Sequence, residues 1–174
     1  MSKGRQELTL ADIAAVHDVI SRRHAPEEPY RLVEHLAQRL FEHRLFTVMR
    51  HRESTAEVER VYSSNTTAYP VGGRKQKLGT PWGEKVLDRG EVFIAASRDE
   101  LRQAFPDYEL IFSLGISSIM NVPISYCGRT LATMNISGEA DQYRDEHIPT
   151  AKLLGALLVP VLLASETGSG GPGR

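Results

Sequence analysis

The run 117–137 constrains this chain most. Ser117-Ser118-Ile119-Met120-Asn121-Val122-Pro123-Ile124-Ser125 leads into Tyr126-Cys127-Gly128, then Arg129-Thr130-Leu131-Ala132-Thr133-Met134-Asn135-Ile136-Ser137. Two β-prone segments around a glycine turn predict a hairpin. Strand side chains alternate between two faces. Even positions are apolar (Ile116, Met120, Val122, Ile124, then Ala132, Met134, Ile136), interrupted by Ser118. Odd positions mix Ile119 and Leu131 with Asn121, Thr133 and Asn135. One face is therefore plain core. The other is half polar, which suits a pocket wall as well as it suits solvent.

The turn decides which residues meet. A two-residue loop at Cys127-Gly128 pairs even with odd positions and mixes the sets. A three-residue loop, Tyr126-Cys127-Gly128, pairs like with like, with Gly128 in the left-handed position. A one-residue slip would turn the core face outward. The expected register therefore sets Asn121 opposite Thr133 and Ile119 opposite Asn135.

The 174 residues fit one domain with a sizeable core. Lys+Arg number 21 against 22 Asp+Glu, a net charge of -1, so neither nucleic acid nor a membrane surface is an expected partner. The single cysteine, Cys127, excludes an internal disulfide and a cysteine-rich metal site. No apolar run would span a bilayer, and no apolar segment follows Met1-Ser2-Lys3-Gly4-Arg5, so the expected location is the cytoplasm.

Thr9 is a candidate N-cap with Asp12 closing a capping box, starting a helix that ends near His24. A second helix is expected over 30–43, then strands over 45–52 and 57–63. The stretch 65–79 lacks periodicity and reads as a long loop of the kind that carries function. Thr80-Pro81 starts a helix that ends at Gly90, and 92–95 is a short strand. Two helical segments, 99–105 and 107–114, stop at Gly115. Asp145 caps a final helix over 146–163, with Pro160 bending its last turn. Residues 1–28 form an N-terminal helix expected at a dimer contact, 29–164 the main domain, and 165–174 a disordered tail. Consecutive strand pairs argue for a mainly antiparallel sheet in an α+β domain.

Ile119-Met120-Asn121-Val122-Pro123-Ile124, the turn glycine, Leu131-Ala132-Thr133-Met134-Asn135-Ile136, then Tyr143, Asp145 and the apolar last helix resemble the GAF domain family. Ala132 stands where that family usually has glycine. The resemblance spans roughly 29–163, with its distinctive residues in the C-terminal third. It implies terminal helices on one face of the sheet and a small-molecule pocket on the other, covered by the middle helices and the long loop. It also implies a homodimer through the terminal helices. The Asn-Lys-Phe-Asp-Glu signature of cyclic-nucleotide-binding members is absent, so that ligand is not carried over.

The candidate ligand-binding residues are Tyr62, Tyr69, Arg74, Lys75, Lys77, Trp82, Phe93, Ile119, Asn121, Thr133 and Asn135. The aromatics either line the pocket or fill core, core being the better reading for Phe93. Arg74, Lys75 and Lys77 would attract an anionic metabolite or simply be solvated; amides at the Pro81-Trp82 helix start would add donors. Asn121, Thr133 and Asn135 would bond a ligand or one another. Asp99, Asp107 and Glu109 read as caps or surface charge, and the six histidines form no ligand pattern. No metal, cofactor or catalytic residue is expected. A lone Cys127 cannot supply the internal disulfide used by the methionine sulfoxide-reducing branch of the family. The expected function is a non-catalytic sensory or regulatory domain for a small metabolite. A dimerisation module with a filled pocket is the alternative, and a sulfoxide reductase-like enzyme stands third.

Overall fold

The computed structural model describes residues 7–77 and 79–167. Helix α1, Leu10–Ile20, starts as expected: Thr9 Oγ1 accepts from the Asp12 amide (3.2 Å) and Asp12 accepts from the Thr9 amide (2.8 Å). It stops before His24. Helix α2 is Glu28–Phe41 and begins earlier than expected because Pro29 fits its first turn. Strands β1, Leu45–Arg52, and β2, Glu57–Ser63, form the expected hairpin.

The presumed loop contains a strand. β3, Arg74–Gln76, pairs with β2 along the sheet edge. Three charged or polar residues carry no periodic signal, and an edge strand of this kind is protected by its charges. Helix α3, Pro81–Gly83, is capped by Thr80 and passes into a π-helical turn, Glu84–Asp88, before Gly90 at φ 63°. β4 is Phe93–Ala95. α4, Arg98–Ala104, carries a capping box from Ser97 and Glu100; α5 is Tyr108–Ser113. β5, Ser118–Tyr126, and β6, Arg129–Gly138, complete an antiparallel sheet of order β3-β2-β1-β6-β5-β4. A short turn, Asp145–His147, then leads into α6, Ile148–Ala156, and α7, Val159–Thr167.

Asp145 makes no cap; the Arg144 amide instead donates to His147 Nδ1 at 3.0 Å. The final helix breaks at 157–158 with a 42° bend, earlier than expected, because Pro160 has no amide for the Ala156 carbonyl. Residues 165–167 continue α7; the rest of the expected tail lies outside the described residues. No single described helix is long and apolar enough to cross a membrane.

The central hairpin corrects the expected register. Its turn has two residues, Cys127 at φ 49° and Gly128 at φ 75°, the conformation of a type I′ turn. Tyr126 pairs with Arg129 and Ser125 with Thr130; the register then shifts, so that Ile124 meets Ala132. Leu131 is the extra residue, a β-bulge that restores the parity the turn would have broken. Asn121 consequently faces Asn135, Ile119 faces Ser137, and Thr133 faces Pro123.

The two faces still separate as the alternation requires. Met120, Val122, Ile124, Ala132, Met134 and Ile136 form one core with buried residues of α1, α2, α6 and α7. The bulge turns Leu131 into that core as well, away from the odd-numbered face. Ile119 joins Leu45, Met49, Trp82, Phe105 and Ile111 in a second core on the opposite face. Ile116, expected on the helix face, lies in this second core because it precedes the strand.

Candidate functional site

Asn121, Asn135 and Thr47 are successive neighbours across β5, β6 and β1. The register therefore strings their side chains into a ladder across the sheet. Trp82 Nε1 donates to Asn121 Oδ1 at 2.9 Å, Asn121 Nδ2 to Asn135 Oδ1 at 2.7 Å, and Asn135 Nδ2 to Thr47 Oγ1 at 3.1 Å. Buried amides need such partners. Here the sheet supplies them, and Trp82 ties the covering segment to its floor.

Above the ladder lies a cavity of about 70 Å³. Leu45, Met49, Ile111, Ile116 and Ile119 make much of its wall apolar, and Tyr69, Trp82 and Phe105 cover it. Four charged groups meet at its edge: Arg60, Lys75, Lys77 and Asp107. Lys75 Nζ donates to Asp107 Oδ2 at 2.7 Å, and the Tyr69 hydroxyl donates to the same oxygen at 3.1 Å. Burial works to raise the Asp107 carboxyl, but the Lys75 hydrogen bond and charge outweigh it and hold the group below its usual range. Burial, reinforced by Asp107, pushes the Tyr69 hydroxyl up.

Arg60 is 5% exposed; its Nη1 donates to the Pro70 carbonyl at 2.9 Å and its guanidinium lies 4.9 Å from the Tyr69 ring centre. Its buried Nε has no partner, and neither has Asp107 Oδ1. The Lys77 ammonium sits 4.7 Å from the Trp82 ring centre and 5.8 Å from that of Phe105. Lys77 is 9% exposed, and its ammonium has no hydrogen bond or ion pair with the described residues. Burial, then the nearby Lys75 charge, lower its pKa, with Asp107 opposing. Three cations thus face one carboxylate, which Lys75 already engages.

Of the expected residues, Tyr69, Lys75, Lys77, Trp82, Ile119, Asn121 and Asn135 border this cavity. Four do not. Tyr62 lies on the helix face, stacked on Tyr30 at 5.8 Å and donating to Glu34. There it borders an open groove of about 820 Å³ with Tyr30, Arg50 and Val61. Arg74 points from the edge strand to Glu57 (3.8 Å) and Glu59 (3.5 Å). Phe93 packs edge-on against Phe105 at 6.0 Å, as core. Thr133 is fully buried beyond the cavity, its hydroxyl without a partner. At the helix start the amides of Gly83 and Glu84 bond Thr80 at 3.0 Å each and are not available to a ligand.

Sequence reasoning missed Thr47, Arg60 and Asp107. Arg60 had a signal: it stands in phase with Val58 on a strand whose other face carries Glu57 and Glu59. Thr47 needed the β1–β6 pairing, which is remote in sequence. Asp107, expected as a cap or surface charge, makes no side-chain cap and turns to Lys75 instead.

No protein-family description and no curated protein matches the chain. Solved structures do. The GAF domain of a phosphoenolpyruvate-protein phosphotransferase from Acinetobacter is 14% identical, with a TM-score of 0.71 over 99% of this chain and 100% of that one. The corresponding domain from Coxiella burnetii is 17% identical, with a TM-score of 0.68 over 92% of this chain and 96% of that one. The GAF domain of a two-component sensor histidine kinase from Bacillus halodurans is 11% identical, with a TM-score of 0.66 over 94% of this chain and all of that one, 100%. The fold is that of GAF domains, as the hairpin resemblance implied.

Proposed function

We propose that this chain is a sensory or regulatory module that binds a small molecule in the covered cavity and catalyses no reaction on it. The observation that carries the reading is the cavity itself. Its floor is a satisfied polar ladder, its walls are apolar, and its edge holds three cations against the single carboxylate of Asp107, with the buried Arg60 Nε unpartnered. Apolar pockets with a few convergent polar groups are the usual form of ligand sites. Cys127 is exposed in the β5–β6 turn and does not border the cavity, so a cysteine mechanism there would lack its nucleophile. The reading includes a cytoplasmic location and a homodimer through the terminal helices, with no nucleic-acid or membrane partner. Thermal-shift screening of the whole chain against a metabolite library, followed by crystal soaking, tests it. A stabilising ligand seated over Asn121 and Asn135 is the expected result. Absence of any stabilising ligand would overturn it.

The cavity's size favours a second reading. At about 70 Å³ it falls far below the roughly 300–1,000 Å³ of sites for larger ligands. A module that pairs chains through α1 and α7 would need no larger space. Sedimentation equilibrium separates the two: a dimer unaffected by every ligand supports the pairing module alone.

A further inference from the structure

We infer that the cavity takes a short-chain monocarboxylate, its carboxylate held between Lys77 and Arg60 and its carbon end against the apolar wall. The inference rests on the ligand-binding reading above and specifies the chemistry of that same site.

Charge is the first argument. A cation removed from water is costly unless paired, and buried donors are nearly always satisfied. Lys75 has Asp107. Lys77, 9% exposed, lies against the ring faces of Trp82 and Phe105 with only the Asp107 carboxylate, already engaged by Lys75, as an opposing charge nearby; Arg60, 5% exposed, donates to Pro70 from Nη1 but keeps a bare Nε. Both groups border the same partly open cavity. The missing complement is an anion, and a planar carboxylate matches a guanidinium–ammonium pair.

Shape is the second. The surfaces away from the cations are Leu45, Met49, Ile111, Ile116 and Ile119. They suit a hydrocarbon end, which phosphate and sulfate lack. Size is the third. A cavity of roughly 150 Å³ holds benzene, so about 70 Å³ admits only a few non-hydrogen atoms of a ligand into the space over the ladder. Acetate and propionate are in this range. The Asp107 carboxylate already occupies the edge of the cavity opposite Lys75, which disfavours a second carboxylate on the ligand.

The test is calorimetry and thermal shift on the whole chain with sodium acetate and sodium propionate, ionic strength held constant with sodium chloride. Acetamide serves as the neutral isostere and phosphate as the non-carboxylate anion. The expected result is a concentration-dependent rise in Tm with acetate and propionate, and at least a tenfold weaker response to acetamide and phosphate. Lys77→Met should abolish the response and Lys77→Arg should retain it. Should Lys77→Met fail to fold, Arg60→Gln provides the same comparison and should weaken binding at least tenfold. Equal binding of acetamide, a stronger response to phosphate, or full acetate binding by both charge-removing variants would overturn the inference. A neutral library compound seated in the cavity would also overturn it while leaving the sensor reading intact. No binding by any compound would overturn both.

Discussion

Replacing Asn135 with alanine tests whether the ladder holds the cavity floor. Asn135 is 9% exposed and sits at the ladder's centre, accepting from Asn121 at 2.7 Å and donating to Thr47 at 3.1 Å. Alanine removes both bonds, each worth about 1 kcal/mol net. It also strands the Asn121 Nδ2 donor, 4% exposed, for which desolvation adds roughly 1–3 kcal/mol. Water entering from the adjoining cavity would recover part of this. The expected loss is about 2–3 kcal/mol, or a Tm decrease on the order of 4–12 °C for a chain of this size. Urea denaturation at neutral pH measures it. A double-mutant cycle with Asn121→Ala should show coupling of about 1 kcal/mol or more, because the second substitution removes the stranded donor. A loss below about 0.5 kcal/mol, or strictly additive substitutions, would refute the ladder as a stabilising unit.

Three further outcomes are expected. Gly83→Ala should destabilise by about 1–3 kcal/mol, since a Cβ there would lie 2.2 Å from the backbone oxygen of Lys77; calorimetry showing an unchanged Tm would contradict this packing. His43 is buried beside Phe46, and burial lowers its imidazole pKa against the opposing pull of Glu34. The unfolded chain therefore takes up the proton first, near pH 6.5. The His43 contribution is fully present above that pH and is lost as pH falls toward the lower folded value. His43→Leu should flatten the decline of Tm between pH 7 and 5, and an unaltered slope would be the contrary result. Asp107→Asn should cost about 1–3 kcal/mol by stranding Lys75 among like charges. It should also remove the stability lost by the parent chain as pH falls below about 4, because the folded carboxyl is held low and binds its proton later than the unfolded one.

The β5–β6 hairpin was legible as two faces, and those faces are what the fold is built on. Alternation survives small errors of register, so the wrong turn length still sorted Met134 from Asn135. The partner of Asn121 was not legible, because it depended on a bulge at Leu131 that leaves no mark in a sequence without glycine at that position. Thr9, Thr80 and Gly90 were legible because capping is local chemistry. Arg60 and Asp107 were not, because their meeting joins a strand to a helix start far along the chain. Tyr62, expected at the pocket, lies half-buried on the opposite face: a bulge opposite Val48 and Met49 near the end of β2 switches its side, and the ring stacks on Tyr30.

The same alternation gives a ligand a short route to the terminal helices. Asn135 faces the cavity, while its chain neighbours Met134 and Ile136 are fully buried in the helix-side core. On that side α6 lies close: a Cβ on Gly155 would stand 3.2 Å from Ile124 Cγ1 and 3.8 Å from Met134 Cε. Close-packed interiors transmit displacement because they contain little free volume to absorb it. A ligand that draws Lys77 off the Trp82 ring would load the Trp82–Asn121–Asn135 ladder, and with it strands β5 and β6. Those strands carry the residues on which α6 rests. Coupling of this kind requires two arrangements that a ligand binds unequally. Under the carboxylate proposal Lys77 would supply the inequality, its ammonium resting on the Trp82 ring in one arrangement and on the ligand in the other.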